Sequence, residues 1–298
     1  WSADNVEPFL EEPLSPPFGD IVRMLLLSCT PPRPDTTVWA FDAWEDVSGW
    51  AVRLFEPRAG VTSEMAAEAS KAVTAATSRL DTVRALYDLV RERTRYVAIH
   101  IGIGGFQPHP VAQTFELKYG DCKDMALLLC SLLNSVGIEA LPVLVRTAGE
   151  GRIWPEFPSP HQFNHCIAYV PVSRTDSAPE TLREGIYLDP TASMCSFGNV
   201  PEADRGTDCL VLGDRGGNLK RIPRACFQPD IEIGNTRIVM KTNGGADCTV
   251  LERHSGSANQ NLRYRLQSMD APSVQSYWSQ RLNGSFPGAE FSRDRKST

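Results

Sequence analysis

The apolar residues between Thr62 and Tyr96 recur every three or four positions, in a segment rich in Ala, Glu, Arg and Leu. This spacing is typical of a helix that buries one face. The repeat is clearest at four residues: Val83, Leu86, Tyr87 and Val90. We predict two helices here, which meet near Asp81.

A strongly apolar segment begins after Asp121 and runs to about Val136, and Gly137 follows in the position that glycine often takes just after a helix. Its apolar residues cover most of the helix circumference, so we predict a helix buried at the centre of the core. The preceding segment, 101–110, contains glycines and prolines that exclude a regular helix, and we expect a fixed loop there.

Short apolar runs bounded by Pro, Gly or polar residues predict strands after this helix. The three candidates are Leu141–Val145, Phe163–Val170 and Ile186–Leu188. A helix followed by strands predicts an α+β core.

The segments on either side of this core have β-like patterns. The first sixty residues combine prolines with strand-like runs at 24–27 and 38–41, which we interpret as loop and strand, not helix. Beyond about Val200 the chain is more polar and carries turn signals such as Asn243-Gly-Gly245. Its β-like runs are Cys209–Leu212, Ile231–Met240 and Thr249–Glu252.

Composition narrows the class of protein. The 298 residues are enough for one large domain or for two or three small ones, since single cores stop growing at roughly 250 residues. Apolar residues make up 42% and charged residues 22%, as in ordinary folded proteins. A net charge of -6 without a basic block argues against non-specific binding to nucleic acid or anionic membranes. The most apolar early stretch, Met24–Cys29, is far shorter than the ~20 residues that a membrane-spanning helix needs.

The eight cysteines are spread along the chain without a C-x-x-C pair, which disfavours a zinc ribbon or a thioredoxin-type motif. We expect most of them to be small buried residues. A disulfide among the last four is compatible with an oxidising compartment, and its pairing stays open: Cys195, Cys209, Cys226 and Cys248. The chain begins at Trp1 and not at Met, which leaves open that it is a fragment or a processed form.

Cys122 lies at the predicted start of the buried helix, with Asp121 as its cap. A helix N-terminus favours a thiolate through its partial positive charge and free N–H groups, and the same groups can stabilise an oxyanion in acyl transfer. A cysteine nucleophile also needs a base, and the base needs an orienting partner. His165 and Asp189, on or at the ends of predicted strands, fit these two roles.

Three blocks resemble the catalytic blocks of bacterial transglutaminase-like proteins: Tyr119-Gly-Asp-Cys-Lys-Asp124, Phe163-Asn-His-Cys-Ile-Ala-Tyr-Val170 and Tyr187-Leu-Asp-Pro-Thr191. The upstream segment 95–109 is similar to the branch in which this core follows an N-terminal β domain of the DUF3857 type. Together these blocks cover roughly residues 40–200. Family members often have Lys or Thr where this chain has Met125.

The resemblance implies a papain-like α+β fold, in which a central helix packs on an antiparallel sheet between flanking β-rich segments. It implies that residues 1–60 are the end of the N-terminal β-rich domain and a linker, 61–200 the catalytic core and 201–298 a C-terminal β-rich unit. It also implies that Cys122 is the nucleophile, His165 the general base and Asp189 the residue that orients the base.

The activity that this resemblance implies is attack on an amide carbonyl of a peptide or protein substrate, through a thioester that is released to an amine co-substrate or to water. It implies no metal or organic cofactor, and a location in the bacterial cell envelope, with the cytoplasm left open. Two alternatives remain. One is a binding or scaffolding module without chemistry, and the other is a biosynthetic acyltransferase that forms amides on a small or carrier-bound substrate. The oligomeric state stays open.

Other polar residues have plainer interpretations. Cys130 is expected in the core, and Asp124 is expected to cap the helix or pair with a cation. Gln107 and Asn164 are further candidates for contacting an oxyanion or fixing the histidine ring. Three glycines do not form a phosphate-binding motif: Gly102, Gly104 and Gly105. Three histidines lack metal-ligand spacing and are expected on the surface: His100, His109 and His161.

Overall fold

The computed structural model describes residues 8–9, 12–22, 24–27, 41–98, 101–172, 185–213, 217, 219–224 and 229–290. The chain divides into two compact units, Trp1–Gln228 and Pro229–Thr298. The first unit contains the predicted helix-and-sheet core, and the second contains a hairpin and two helices.

The elements of the described residues follow one another along the chain. The helices are α1 (Phe18–Ile21), α2 (Trp44–Phe55), α3 (Ser63–Ala72), α4 (Arg79–Arg93), α5 (Val111–Leu117), α6 (Cys122–Ser135), α7 (Gly256–Gln267) and α8 (Ala271–Ser285). The strands are β1 (Arg95–Tyr96), β2 (Tyr119–Gly120), β3 (Leu141–Val145), β4 (His165–Val170), β5 (Ile186–Leu188), β6 (Asp208–Val211), β7 (Leu219–Arg221), β8 (Ile231–Met240) and β9 (Ala246–Ser255).

A five-stranded antiparallel sheet in the order β5-β4-β3-β6-β7 forms the centre of the first unit. Alternate residues of its strands are buried on opposite faces. On one face, Cys166, Ala168 and Leu210 join the apolar cluster of the helices. On the other face, Ile167 and Tyr169 belong to a second, smaller cluster. The predicted α+β class, with a central helix on an antiparallel sheet, is therefore confirmed.

Helix α6 is the central helix, and its residues 122–133 are all buried. It packs against β3 and β4 on one side and against α4 and α5 on others. The Asp121 side chain caps its start, and Gly137 follows its end with a positive φ of 80°. These observations confirm the predicted cap, the central position and the glycine stop. The two predicted helices before it are also confirmed, although the break between them falls at 73–78 rather than at Asp81.

The interpretation of residues 1–60 as loop and strand without helix is wrong for the last part of that segment, which forms α2. Val47, Ala51 and Phe55 recur every fourth residue and are buried in the core, so the core begins earlier than residue 61. Residues 24–27 are not a strand. The predicted strand at 38–41 lies outside the described residues except for Phe41, which is not in a strand. Whether this segment ends a β-rich domain stays a prediction.

The segment 201–298 also differs from the prediction. Strands β6 and β7 complete the core sheet, so they do not belong to a separate C-terminal unit. In the second unit, the predicted β-like runs form β8 and β9, which pair as a hairpin with its turn at 241–245 and are followed by α7 and α8. Asp270 caps α8 by accepting from the Ser273 amide, and Pro272 lies in its first turn. This unit is therefore mixed and not β-rich.

Candidate active site

Cys122 is the first residue of α6, and the backbone before it is held in place from two directions. Strand β2 pairs in parallel with β1, so that Tyr96 lies opposite Gly120. A Cβ atom at Gly120 would lie 2.7 Å from the Cβ of Asp124, so this position accepts only glycine without a rearrangement. The Gly-Asp-Cys sequence thus allows the chain to pass close to the helix that Cys122 begins.

Asp121 and Asp124 form a reciprocal cap around the cysteine. The Asp121 carboxylate accepts from the Asp124 amide at 3.3 Å, and the Asp124 carboxylate accepts from the Asp121 amide at 3.1 Å. Lys123, itself buried, pairs with Asp121. His109 donates its backbone N–H to Asp124 at 2.8 Å, and its ring lies 3.1 Å from the same carboxylate. Both acidic neighbours of Cys122 are therefore engaged, and the capping predicted for Asp124 is confirmed.

The sheet register explains why His165 and Asp189 meet. In the antiparallel pair of β4 and β5, Ala168 lies opposite Leu188. Because the two strands are antiparallel, Asp189, which follows the last residue of β5, lies toward the end of β4 that begins with His165. The Nε2 atom of His165 lies 3.2 Å from a carboxylate oxygen of Asp189.

The Cys122 thiol is close enough to the His165 ring to raise the pKa of that ring. Because the Asp189 carboxylate only accepts hydrogen bonds, the Nε2 atom that faces it carries a hydrogen, and Nδ1 is the ring nitrogen left for the thiol. Cys122 is 7% exposed and Asp189 is 2% exposed. The structure thus brings together the three side chains that the sequence selected, in a largely buried site.

Asp189 is held by four further hydrogen bonds, one of which runs from the Ala192 amide to its backbone carbonyl at 3.3 Å. Thr191 donates both its backbone N–H, at 2.9 Å, and its hydroxyl, at 2.7 Å, to the carboxylate oxygen that does not face His165. The buried Tyr87 hydroxyl donates to the Asp189 backbone carbonyl at 3.0 Å. Both carboxylate oxygens therefore have donors, and the orientation of the side chain is fixed.

The two partners have opposite pKa shifts that favour an ion pair. Burial by itself lowers the pKa of His165, but hydrogen bonds to Asp189 and Cys122 and the charges of Asp189 and Asp204 raise it well above its usual value. Burial by itself raises the pKa of Asp189, but hydrogen bonds from His165 and Thr191 and the charge of His165 lower it below its usual value. Both shifts favour an imidazolium beside a carboxylate.

Two neighbours of this site were not predicted from the sequence. Asp204 has a carboxylate oxygen close to His165 and Asp189, although it lies in a turn with no recognisable motif. Tyr96, 44% exposed on β1, has a raised pKa because of partial burial and the charges of Cys122, Asp121 and Asp189. Only the tertiary fold brings Asp204 to His165 and Asp189, and Tyr96 to Cys122.

The other candidates have structural contacts. The side-chain oxygen of Asn164 accepts from the Thr147 backbone N–H at 2.9 Å, and its side-chain nitrogen donates to the Thr147 hydroxyl at 2.8 Å. Asp189, and not Asn164, therefore fixes the His165 ring. The backbone N–H of Gln107 donates to Ile103, and a contact of Gln107 with an oxyanion stays a prediction. His161 is exposed and packs edge-on against Phe106.

The remaining predictions concern His100 and the cysteines. His100 lies outside the described residues. Six cysteines are described, and all are free thiols: Cys122, Cys130, Cys166, Cys195, Cys209 and Cys248. All of these except Cys248 are buried, as expected, whereas Cys29 and Cys226 lie outside the described residues. Within the described ranges, no helix has the length and apolar character required to span a bilayer.

Comparison with known proteins finds one family match. Residues 66–175 match the family model of the transglutaminase-like superfamily core. Over these residues, which are less than half of the chain, the sequence is similar to the transglutaminase-like superfamily. The match includes Cys122 and His165 and ends before Asp189. Both the bacterial origin and the DUF3857 branch stay predictions.

Two solved structures are similar to the chain at low identity. One is a candidate protease from Parabacteroides distasonis, with 15% identity and a TM-score of 0.44 over 60% of this chain and 31% of that protein. The other is a candidate cysteine protease from Cytophaga hutchinsonii, with 14% identity and a TM-score of 0.34 over 68% of this chain and 56% of that protein. The chain thus spans less than two thirds of either protein. No curated protein sequence matches it.

Proposed function

We propose that this chain is a thiol-dependent enzyme that transfers or hydrolyses the acyl group of an amide, with Cys122 as the nucleophile, His165 as the acid and base, and Asp189 as the residue that orients His165. The single observation that carries this proposal is the hydrogen-bond contact of the His165 imidazole with the Asp189 carboxylate, next to a thiol that raises the pKa of the ring. A histidine with this pair of partners can accept the thiol proton while its other nitrogen stays fixed.

The reaction follows from these contacts. The Cys122 sulfur, after giving its proton to His165, attacks the carbonyl carbon of the amide and pushes the carbonyl electrons onto oxygen. When the tetrahedral adduct collapses, His165 returns the proton to the amine that leaves, and the acyl group stays on sulfur as a thioester. Water or a second amine then gives a proton to His165, attacks the thioester and restores the thiol.

The start of α6 is the proposed oxyanion site. Among the first amides of this helix, those of Asp124 and Met125 already donate to Asp121. The amides of Cys122 and Lys123 precede them in the first turn, where a helix has no internal acceptor for its N–H groups. We assign the oxyanion to these two amides, because they lie at the positive end of the helix beside the attacked carbon.

An activated acetyl ester tests this proposal without knowledge of the natural substrate. With p-nitrophenyl acetate, the parent chain should release a burst of p-nitrophenol and carry one acetyl group on Cys122 by peptide mass spectrometry. Cys122→Ser and His165→Ala should lose the burst. Added butylamine, compared with water alone, shows which acceptor removes the acyl group. If acetylation of Cys122 is no faster than that of Cys248, an exposed thiol, the proposal is wrong.

The natural acyl donor is proposed to be a peptide or protein, since transglutaminase-like domains act at such amides by the resemblance described above. The location in a bacterial cell envelope is a proposal on the same basis.

A further inference from the structure

Asp204 is a buried acid in the turn before β6. Its backbone N–H donates to the Pro201 carbonyl at 3.0 Å, and its carbonyl accepts from the Thr207 hydroxyl at 2.7 Å. These bonds fix the turn through the backbone and do not involve the carboxyl group. Asp204 is 1% exposed, and its Oδ2 atom has no hydrogen-bond partner among the described residues. An aspartate that served only the turn would not need to bury an unsatisfied oxygen.

The carboxyl group of Asp204 points to the histidine site. One ring nitrogen of His165 and one carboxylate oxygen each of Asp189 and Asp204 lie within 4.8 Å of one another. His165 is thus near two carboxyl groups, of which one is hydrogen-bonded to it and the other is close but carries no bond on Oδ2. A second carboxylate at this distance strengthens the positive charge on an imidazole in a poorly solvated site.

Burial first, and then the surrounding charges, determine the pKa of the Asp204 carboxyl group. Burial raises the pKa of Asp204 to about 7; the charge of His165 opposes this effect, and the charge of Asp189 adds to it. Burial raises the pKa of the nearby Cys195 thiol to about 12. The charges of Asp189 and Asp204 raise this pKa further, and those of Arg205 and Arg91 lower it, so two arginines also lie in this region. Arg91 donates to the Ser193 carbonyl, and Arg205 donates to the Val200 carbonyl at 3.0 Å. Asp204 therefore changes charge in the neutral range, next to the proposed base.

We propose that Asp204 is a positioning residue of the Cys122 site, which stabilises the charged form of His165 when its own carboxyl group is ionised. This inference rests on the proposed function, because it assigns to Asp204 an effect on the imidazolium that pairs with the thiolate. Above about pH 7 the carboxylate keeps His165 protonated, and the reactive ion pair persists toward alkaline pH. Below that pH Asp204 is neutral, and Asp189 alone supports the ring.

The titration of the His165 ring in the full chain tests this role directly. NMR of the chain labelled at histidine Cε1, with His165→Gln used for assignment, gives the titration midpoint of this ring. We expect Asp204→Asn to lower the midpoint by about one pH unit, as the loss of one nearby charge does in a buried site. The matched control is Asp208→Asn, because Asp208 lies in the adjoining strand β6 and is half-buried beside Arg221. It should leave the midpoint unchanged. An unchanged midpoint in a folded Asp204→Asn chain overturns the inference.

The parent chain gives a second measurement if the variant does not fold. The His165 resonance should then show a separate small step near pH 7, because the ring senses the ionisation of Asp204. A single step with no inflection near pH 7 contradicts the inference.

The pH profile of acetylation separates this role from a structural one. Asp204→Asn should acetylate Cys122 at about the parent rate at pH 6, where Asp204 is already neutral, and about tenfold more slowly at pH 8.5, for one unit of pKa lost. An equal loss at both pH values indicates a structural role and overturns the inference. If no acetyl group forms on Cys122 in any chain, the proposed function fails, and the NMR midpoint still reports whether Asp204 acts on His165.

The side chains of His165, Asp189 and Asp204 are also of types that bind divalent metals. Titration with zinc chloride distinguishes this alternative. Under the inference, binding of zinc is weak, or depends on Cys122 as for any thiol and histidine pair. Tight binding that survives Cys122→Ala and disappears in Asp204→Asn would show that Asp204 is a metal ligand and would overturn the inference.

Discussion

The hydroxyl of Tyr87 on α4 donates a hydrogen bond of 3.0 Å to the backbone carbonyl of Asp189, 102 residues further along the chain. Tyr87 is fully buried, and its pKa is raised well above the usual value because burial disfavours the phenolate. The helical layer of the core thus fixes the backbone from which the proposed orienting carboxylate projects. The Tyr87 hydroxyl holds the backbone of Asp189, whereas His165 and Thr191 contact its carboxylate. These two sets of contacts can be tested separately.

Tyr87→Phe should remove this backbone support and leave the ring packing against Phe197 in place. The Asp189 carbonyl would keep only the Ala192 amide, at 3.3 Å, as a donor, so we expect a loss of about 0.5–1.5 kcal/mol in the free energy of unfolding. Urea unfolding measures it. Tyr264→Phe is the control, because Tyr264 is exposed and the same change should cost less than about 0.5 kcal/mol. Equal stability of the two variants would show that the hydrogen bond contributes nothing.

Thr191→Val should remove the hydroxyl bond to the Asp189 carboxylate and keep the shape of the side chain. Since the folded pKa of Asp189 is lowered, its contribution to stability is present above pH 3.8, its ordinary value, and is lost as pH falls through the lower folded pKa. The variant has a smaller shift, so its acid unfolding, followed by fluorescence, should begin at a higher pH than in the parent.

The control for this change is Thr236→Val on the exposed strand β8, which should leave the acid transition of the first unit unchanged. A transition at the same pH in Thr191→Val and in the parent would contradict the role of the hydroxyl.

Gly120→Ala should destabilise the start of α6, because the new Cβ would lie 2.7 Å from the Cβ of Asp124 and 3.0 Å from Thr114. We expect a loss of about 1–3 kcal/mol from this overpacking and slower modification of Cys122. Gly49→Ala is the matched control, since nothing lies within 4 Å of that Cβ inside α2. It should stabilise the chain by about 0.5–1 kcal/mol. Denaturant unfolding of both variants provides the measurement. If Gly120→Ala leaves the free energy of unfolding unchanged, the backbone can move away from Asp124 and the prediction is wrong.

Asp204→Asn should stabilise the fold increasingly as pH rises. The pKa of Asp204 is about 7 when folded, against an ordinary value of 3.8, so the folded chain binds a proton that the unfolded chain does not bind between these values. The parent therefore loses stability as pH rises through this range. From pH 5 to pH 8, the variant should gain about 2 kcal/mol relative to the parent in urea unfolding. A pH-independent difference would contradict the raised pKa.

The sequence was informative where local chemistry decides the structure. Helix α6 begins after Asp121 and ends before Gly137, as predicted, because caps and glycine stops act over one helical turn. Helix α2 was missed because Gly49 and aromatic residues obscure its buried positions, and α7 was missed because its polar sequence lacks an apolar face. Asp204 was not predictable, since its importance arises from burial beside a strand that is far away in the sequence.

The most direct test of Cys122 as the nucleophile is its rate of iodoacetamide labelling as a function of pH, measured for each cysteine separately. Burial raises the pKa of four thiols, which should therefore label slowly: Cys130, Cys166, Cys195 and Cys209. The exposed Cys248 serves as the ordinary reference thiol. If Cys122 is the nucleophile and His165 its base, Cys122 labels much faster than Cys248 below pH 7, and His165→Ala removes this difference in rate. A Cys122 that labels no faster than Cys248 below pH 7, with or without His165, would contradict it.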